Sequence, residues 1–519
     1  QDMANPFAAN RLTLGGSGSA GSVFSIQGNP LSLVANGMEA PAIMLEATGE
    51  LVHRIEIPLQ FDANVQVSGD GSATFDFRES LGGSAGLMKS GSSRLNLSAE
   101  SDYTGFTNIQ SGIVCASHAG ALGTTGGATT VQGSTALATL EISGGISIAE
   151  PLQLVMHNTP GHIQLRSVAG DNLLTSPLSL NSGGGRWDIS CLDGSLTVAG
   201  PVVNISGGTD TWRTLYLQGP AGGSFTNSMS DSASGNSKLN VNVRSGRWHF
   251  GNTSKSYTGT TVVSGGWLSV DSSLTSAITV QSGGTFSGSG STSRDLMIET
   301  GASIAVRPGD WASPPGAFAA ARVVSTSASA WTVRLDVTGL TNFSETPVNI
   351  PFLTASGGMP DIKEENIVVD ASGFPGTGNW SVSKNSGILS LIYTPDLYAG
   401  WTVGIDWNGS DSSSAADPDS DGLTNLLEYA LGSNPLRGDG GAPSVAWEMG
   451  RLQLSFQRVA DSRLLYEIIG SHDLLAPVGT WQVVWSSTGS ANTAGLVTVH
   501  DIIAGPLPPQ RFLRLRVSR

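Results

Sequence analysis

Between residues 260 and 305 apolar and polar positions alternate in short runs, and each run ends at glycine. The stretches "VVSGGWLSV", "TVQSGGTFSGSG" and "MIETGASIAV" superpose without gaps, so that Gly265, Gly283 and Gly301 recur every 18 residues. Val262, Val280 and Ile298 lie three positions before these glycines, and Trp267-Leu268, Thr285-Phe286 and Ser303-Ile304 follow at constant distance. Runs this short cannot bury a face alone, so each must stack on the next. The pattern predicts a solenoid of parallel strands about 4.8 Å apart. The handedness of parallel crossovers makes it a right-handed parallel β-helix.

A longer repeat overlies the short one. "KSGSSRLNLSAESDYTGFTNIQSG" at 89–112 reads against "RSGRWHFGNTSKSYTGTTVVSGG" at 244–266, anchored by Tyr103-Thr104-Gly105 and Tyr257-Thr258-Gly259, 154 residues apart. Through these segments, and through "GALGTTGGATTVQGSTALATLEISGGISIAEPLQLV" at 120–155, the chain resembles the autotransporter-associated β-strand repeat proteins over roughly residues 10–397. The resemblance implies a secreted, usually non-enzymatic β-helical passenger of a bacterial surface protein. Trp187 and Trp248 each follow Gly-Arg, which predicts equivalent coil positions and a repeated packing role.

Residues 320–397 lose the Gly-Gly turns but keep strand-like alternation, as terminal coils would. Beyond Pro395 the texture changes to a Ser- and Asp-rich loop flanked by Trp401 and Trp407, and "GDGGAP" then reads as a linker. Period-two alternation returns in "RLQLSFQR", "LYEIIGS", "WQVVWSS" and "RFLRLRVS", which predicts a small antiparallel β-sandwich. The expected organisation is therefore all-β: β-helix repeats over 1–319, a cap over 320–398, a calcium loop with one short helix over 399–438, and the sandwich over 439–519.

Composition narrows the partners. The 519 residues include 68 glycines, only 13% charged residues and a net charge of -15, which argues against nucleic acid or anionic lipid. No run of 18 apolar residues occurs, so a membrane-spanning helix is not expected. The start "QDMANPFAAN" lacks the basic and apolar segments of a signal peptide, leaving a processed product or a piece of something longer as the expectation. Cys115 and Cys191, 76 residues apart, are expected to lie four coils apart as buried free thiols.

The densest chemistry lies in "DPDSDGLTNLLEYALGSNP" at 417–435. Asp417, Asp419, Asp421, Gly422 and Glu428 occupy positions 1, 3, 5, 6 and 12 of a twelve-residue calcium loop. Carboxylates at alternate positions wrap a hard cation, Gly422 allows the tight turn, Leu423 offers its carbonyl, and Asn425 contributes directly or through water. Glu428 closes the set from the first turn of a helix that Gly432 and Pro435 stop. The loop resembles a thrombospondin type 3 or dockerin repeat, although "WNGSDSSSAA" ahead of it cannot form the first helix of an EF-hand. Calcium is the expected ion, locking the junction between cap and sandwich; a solvated Asp-rich turn without metal is the alternative.

Candidates for catalysis are sparse. Asp188, Asp193 and Asp210 with Arg186 and Arg213 form the nearest approach to a cluster, and the seven histidines make no paired metal motif. His249 reads as a strand residue and the twelve tryptophans mainly as core. The expectation is a non-enzymatic structural or adhesive protein, outside the cell or on its surface. Residues 10–30 enter the strand pattern with no covering helix, so the expectation is either a longer precursor that continued the coils or head-to-tail self-association into a filament or sheath, with a monomeric or cell-tethered rod as the alternative. A polysaccharide-binding or polysaccharide-cleaving β-helix is the alternative.

Overall fold

Alternating side chains in the first part of the chain do build a parallel β-solenoid, of about 13 turns. The structure, a computed structural model, describes residues 7–46, 48–133, 137–207, 211–233, 236–325, 330–438, 441–448, 450–503 and 510–519. A fourteen-stranded parallel sheet runs from Val23–Gln27 to Arg322–Ser325. A ten-stranded sheet from Arg11–Leu14 to Met229–Ser230 flanks it, and a second ten-stranded sheet runs from Ser147–Ile148 to Ile367–Asp370. Smaller sheets of four, two and six strands complete the coils. The chain divides into two compact units, the second made of residues 344–348, 375–379 and 393–519.

One column of apolar side chains shows how the coils cohere. Phe75, Leu95, Val114, Leu140, Leu165, Ile189, Leu217, Val243, Val263, Val280 and Ile298 follow one another across successive strands of the fourteen-stranded sheet. Every one of them is fully buried. A buried aliphatic side chain contributes roughly 1.5–3 kcal/mol, so the column is a continuous source of stability along the stack.

This column corrects the gapless superposition at one place. Val263, not Val262, pairs with Val280, and Val262 sits beside Thr279 on the half-exposed side. Three residues separate Val263 from Trp267, whereas four separate Val280 from Thr285. A one-residue slip would send each apolar side chain outward, so the shorter turn absorbs the difference. After the turn the 18-residue register holds, with Trp267 beside Thr285 and Phe286 beside Ile304.

The longer repeat has a structural meaning. Tyr103 and Tyr257 are both fully buried, and their hydroxyls bond Thr107 Oγ1 at 2.5 Å and Thr261 Oγ1 at 2.6 Å. Gly105 and Gly259 press against the preceding coil: a Cβ there would lie 2.3 Å from the Ala85 carbonyl carbon and 2.1 Å from the Leu239 oxygen. The motif Tyr-Thr-Gly-X-Thr is thus one corner of a coil, used twice.

Trp187 and Trp248 are core residues, but their positions are not equivalent. Trp187 lies in the fourteen-stranded sheet beside Leu215, and Trp248 in the second ten-stranded sheet beside Gly223 and Leu268. Gly-Arg-Trp therefore marks a turn into a strand, not a fixed face. The cysteines sit three strands apart rather than four, because the coils between them run to 24–26 residues. Both are buried free thiols; Cys191 continues the inward alternation from Ile189, while Cys115 lies between inward Val114 and Ala116.

The second unit holds two three-stranded antiparallel sheets. Ser444–Glu448, Arg451–Arg458 and Gly495–His500 form one; Gln482–Ser487, Leu465–Ser471 and Phe512–Ser518 form the other. Leu454, Phe456, Tyr466, Ile468 and Leu515 share one core, with the rings of Phe456 and Tyr466 stacked at 6.0 Å. Among the described residues, this unit carries two α-helices: α1 (Leu397–Val403) and α2 (Asn425–Leu431). The helix α1, absent from the sequence expectation, forms because Asp396 caps it by accepting from Ala399 N at 3.0 Å while Tyr398 and Trp401 cover Tyr429.

Candidate metal centre

The Asp-rich loop leads directly into α2, whose far side is anchored in the sandwich core. Tyr429 donates to Asp461 Oδ2 at 2.8 Å, Tyr466 donates to the Ala430 carbonyl at 3.0 Å, and Leu423 and Leu431 are buried in the same cluster. Gly432 ends the helix in the left-handed conformation, φ 76°, as the sequence predicts. Among the described residues 404–424 there is no helix, in keeping with the reading of "WNGSDSSSAA".

Within the loop, Asp417, Asp419 and Asp421 each place a carboxylate oxygen within 4.8 Å of the others. Backbone amides hold them there: Gly422 N donates to Asp417 Oδ2 at 2.9 Å, Asp421 N to Asp419 Oδ1 at 3.2 Å, and Leu423 N to Asp421 Oδ1 at 2.8 Å. Gly422 has φ 92°, a region L side chains disfavour, so glycine is required at that turn. Partial loss of water and the charges of Asp421 and Asp417 push the Asp419 carboxyl above its ordinary range. Three carboxylates this close repel one another unless a cation or protons intervene.

The remaining candidates are placed differently. Asn425, fully buried, donates through Nδ2 to the Asp411 and Ser413 carbonyls at 3.0 and 2.8 Å, so its amide nitrogen ties down the preceding loop. Its Oδ1, with Asp417 Oδ1 and Asp419 Oδ2, is shut from solvent and accepts no hydrogen bond. Buried acceptors left in that condition are costly, and oxygens are the donors that calcium takes. Glu428 is fully buried in the first turn of α2 and lies outside the three-aspartate set. The donor chemistry of the three clustered aspartates therefore fits a hard divalent cation.

Of the catalytic candidates, Asp188 and Arg186 are brought together, whereas Asp193 is exposed and Arg213 is engaged elsewhere. Asp188 and Arg186 meet in a buried pair, Arg186 Nε donating to Asp188 Oδ2 at 2.6 Å, with Gln218 Nε2 donating to Oδ1 at 3.0 Å. His157, which sequence spacing did not reveal, joins them. Its Nδ1 accepts from Thr159 N at 3.3 Å, and its Nε2 lies 3.1 Å from Asp188 Oδ2. Burial alone would raise the Asp188 carboxyl, but the hydrogen bonds from His157 and Arg186 outweigh it and hold it low. Asp193 is exposed on the following turn, Arg213 donates to the Gly184 carbonyl at 2.5 Å, and Asp210 lies outside the described residues. A further charged group, Glu141 between Arg94 at 2.6 Å and Arg166 at 2.9 Å, lies on the outer side of the same sheet. Its members are 25 and 47 residues apart in an irregular coil, and no sequence period connects them.

A parallel β-solenoid with an Asp-loop module is the class of protein that fold and site define. Residues 87–114 and 245–270, the two coils around Tyr103 and Tyr257, match the passenger-associated-transport-repeat family. No curated protein matches the chain. No helix among the described residues is long and apolar enough to cross a membrane.

Proposed function

We propose that this chain is a non-enzymatic passenger of a secreted or surface-displayed protein, a β-solenoid whose C-terminal module is braced by calcium. The observation that carries the reading is the passenger-repeat match at two coils that share one buried Tyr-Thr hydrogen bond. The non-enzymatic part is supported by the engagement of Asp188 in a buried ion pair with Arg186 and of Arg213 with the Gly184 carbonyl. Protease added to intact producing cells is expected to degrade the chain, or the chain is found in the medium. A chain protected until lysis overturns the reading.

The calcium part is supported by the three clustered aspartates and by the buried, unpartnered oxygens of Asp417 and Asp419. Asp417, Asp419, Asp421 and Asn425 would hold the ion, with the Leu423 carbonyl and Glu428 completing the shell. Calorimetric titration of the full chain is expected to show one site with a Kd of about 10⁻⁴–10⁻³ M, the range of extracellular modules. Asp419→Asn should abolish it. End-to-end self-association is the assembly we propose, since the strand Val23–Gln27 leads the fourteen-stranded sheet with Val23 and Phe24 exposed. Sedimentation velocity over rising concentration with calcium present checks it; a monomer throughout refutes it.

A further inference from the structure

The outer side of the second ten-stranded sheet carries a groove of about 260 Å³. Its floor is built of small residues: Ser269 pairs with Ser287 on the next coil, and Ala305 lies on the coil beyond. Trp267 lines one end, its indole N–H donating to Ser287 Oγ at 2.7 Å and its ring covered by the Arg247 guanidinium at 4.0 Å. Arg307 and Asp336, paired at 2.8 Å, form a wall in which the arginine side chain remains 56% exposed. Asp271 stands at the corner, accepting from Ser289 N at 2.8 Å and facing His249 Nε2 at 2.9 Å. Pro315, Gly316 and Phe352 edge the mouth.

We infer that this groove binds a single sugar residue of an uncharged glycan. Its volume is at the small end of ligand sites, which favours one ring over a peptide segment. A pyranose presents an apolar C–H face and a rim of hydroxyls, and the groove offers both counterparts. Trp267 and Phe352 supply apolar surface. Ser269 and Ser287 can donate or accept, and the Arg307–Asp336 pair sets a guanidinium fork beside a carboxylate. Charge selects against anions: Arg247 and Arg307 are offset by Asp271 and Asp336, two against two, leaving no cationic excess for phosphate or sulfate. Hydroxyl recognition of this kind discriminates well because a missing ligand hydroxyl leaves site groups unpaired. The inference stands on the groove alone and depends neither on calcium nor on secretion.

The test titrates the full chain with soluble cello-, xylo-, malto- and galacto-oligosaccharides, followed by calorimetry and tryptophan fluorescence. Two variants accompany it. Gly316→Gln adds bulk at the mouth, where a Cβ meets nothing within 4 Å, and is expected to unfold at the parent's temperature; Arg307→Ala removes an exposed side chain of the wall, with circular dichroism checking that it remains folded. At least one glycan should bind with a Kd of about 1 mM or tighter, and each variant should weaken it about tenfold or more. The inference is overturned if no oligosaccharide of the panel binds at about 10 mM, or if binding persists unchanged in both variants.

Discussion

Glu150 is buried at 5% exposure beside Thr129 and Tyr103. Burial raises its carboxyl to about 8, only partly offset by Thr129. A carboxyl raised in the folded chain contributes stability below its ordinary value of 4.5 and loses it as pH climbs toward 8. Glu150→Gln is therefore expected to flatten the fall in melting temperature between pH 5 and pH 9 and to exceed the parent at the alkaline end; parallel melting curves over that range would refute the assignment. The Tyr257 hydroxyl gives a second residue-scale expectation. Tyr257→Phe removes its bond to Thr261, which keeps a partner in Ser276 at 2.6 Å, so denaturant unfolding should show a loss of about 1 kcal/mol.

Strand and turn together set the next scale. Gly259→Ala places a methyl 2.1 Å from the Leu239 carbonyl oxygen, a backbone atom that cannot yield without displacing a neighbouring coil. A destabilisation of about 1–3 kcal/mol is expected by denaturant titration, whereas Gly126→Ala, whose Cβ meets only Thr124 Oγ1 at 3.6 Å, should stay within about 0.5 kcal/mol. The solenoid itself was legible in the chain because an inward residue every second position and a glycine at each corner leave a local signature. The one-residue difference between the Val263–Trp267 and Val280–Thr285 turns was hidden, since aligning glycines says nothing about how many residues a turn consumes. The helix α1 was hidden for another reason: at seven residues it is too short to stand by propensity, and the packing of Tyr398 and Trp401 on Tyr429 supplies what the local sequence does not.

At the scale of the whole molecule, two expectations concern the full chain under native conditions. On the proposed calcium site, a chelator should speed proteolysis within residues 400–438 while the coils of the first unit stay intact, because the loop aspartates would lose their counter-ion and the solenoid core does not include them. Cleavage unchanged by chelation would remove the bracing role. A thiol reagent should find neither cysteine in the folded chain and two in the denatured one, since Cys115 and Cys191 are buried and three strands apart.

The amino-acid sequence by itself determined the stacked parallel coils, the repeated Tyr-Thr-Gly corner, the antiparallel sheets of the C-terminal unit, and the spacing of Asp417, Asp419 and Asp421. Each of these depends on side-chain period or on residues close together in the chain. Tertiary structure alone decided which coils face one another and what collects on their outer sides. His157 meets Asp188 across 31 residues, and Trp267 shares a groove with Asp336 and Phe352 across 69 and 85. Coil lengths vary with every turn, so the outward columns of a solenoid assemble from positions that no fixed period connects, and only the register of the folded strands brings them together.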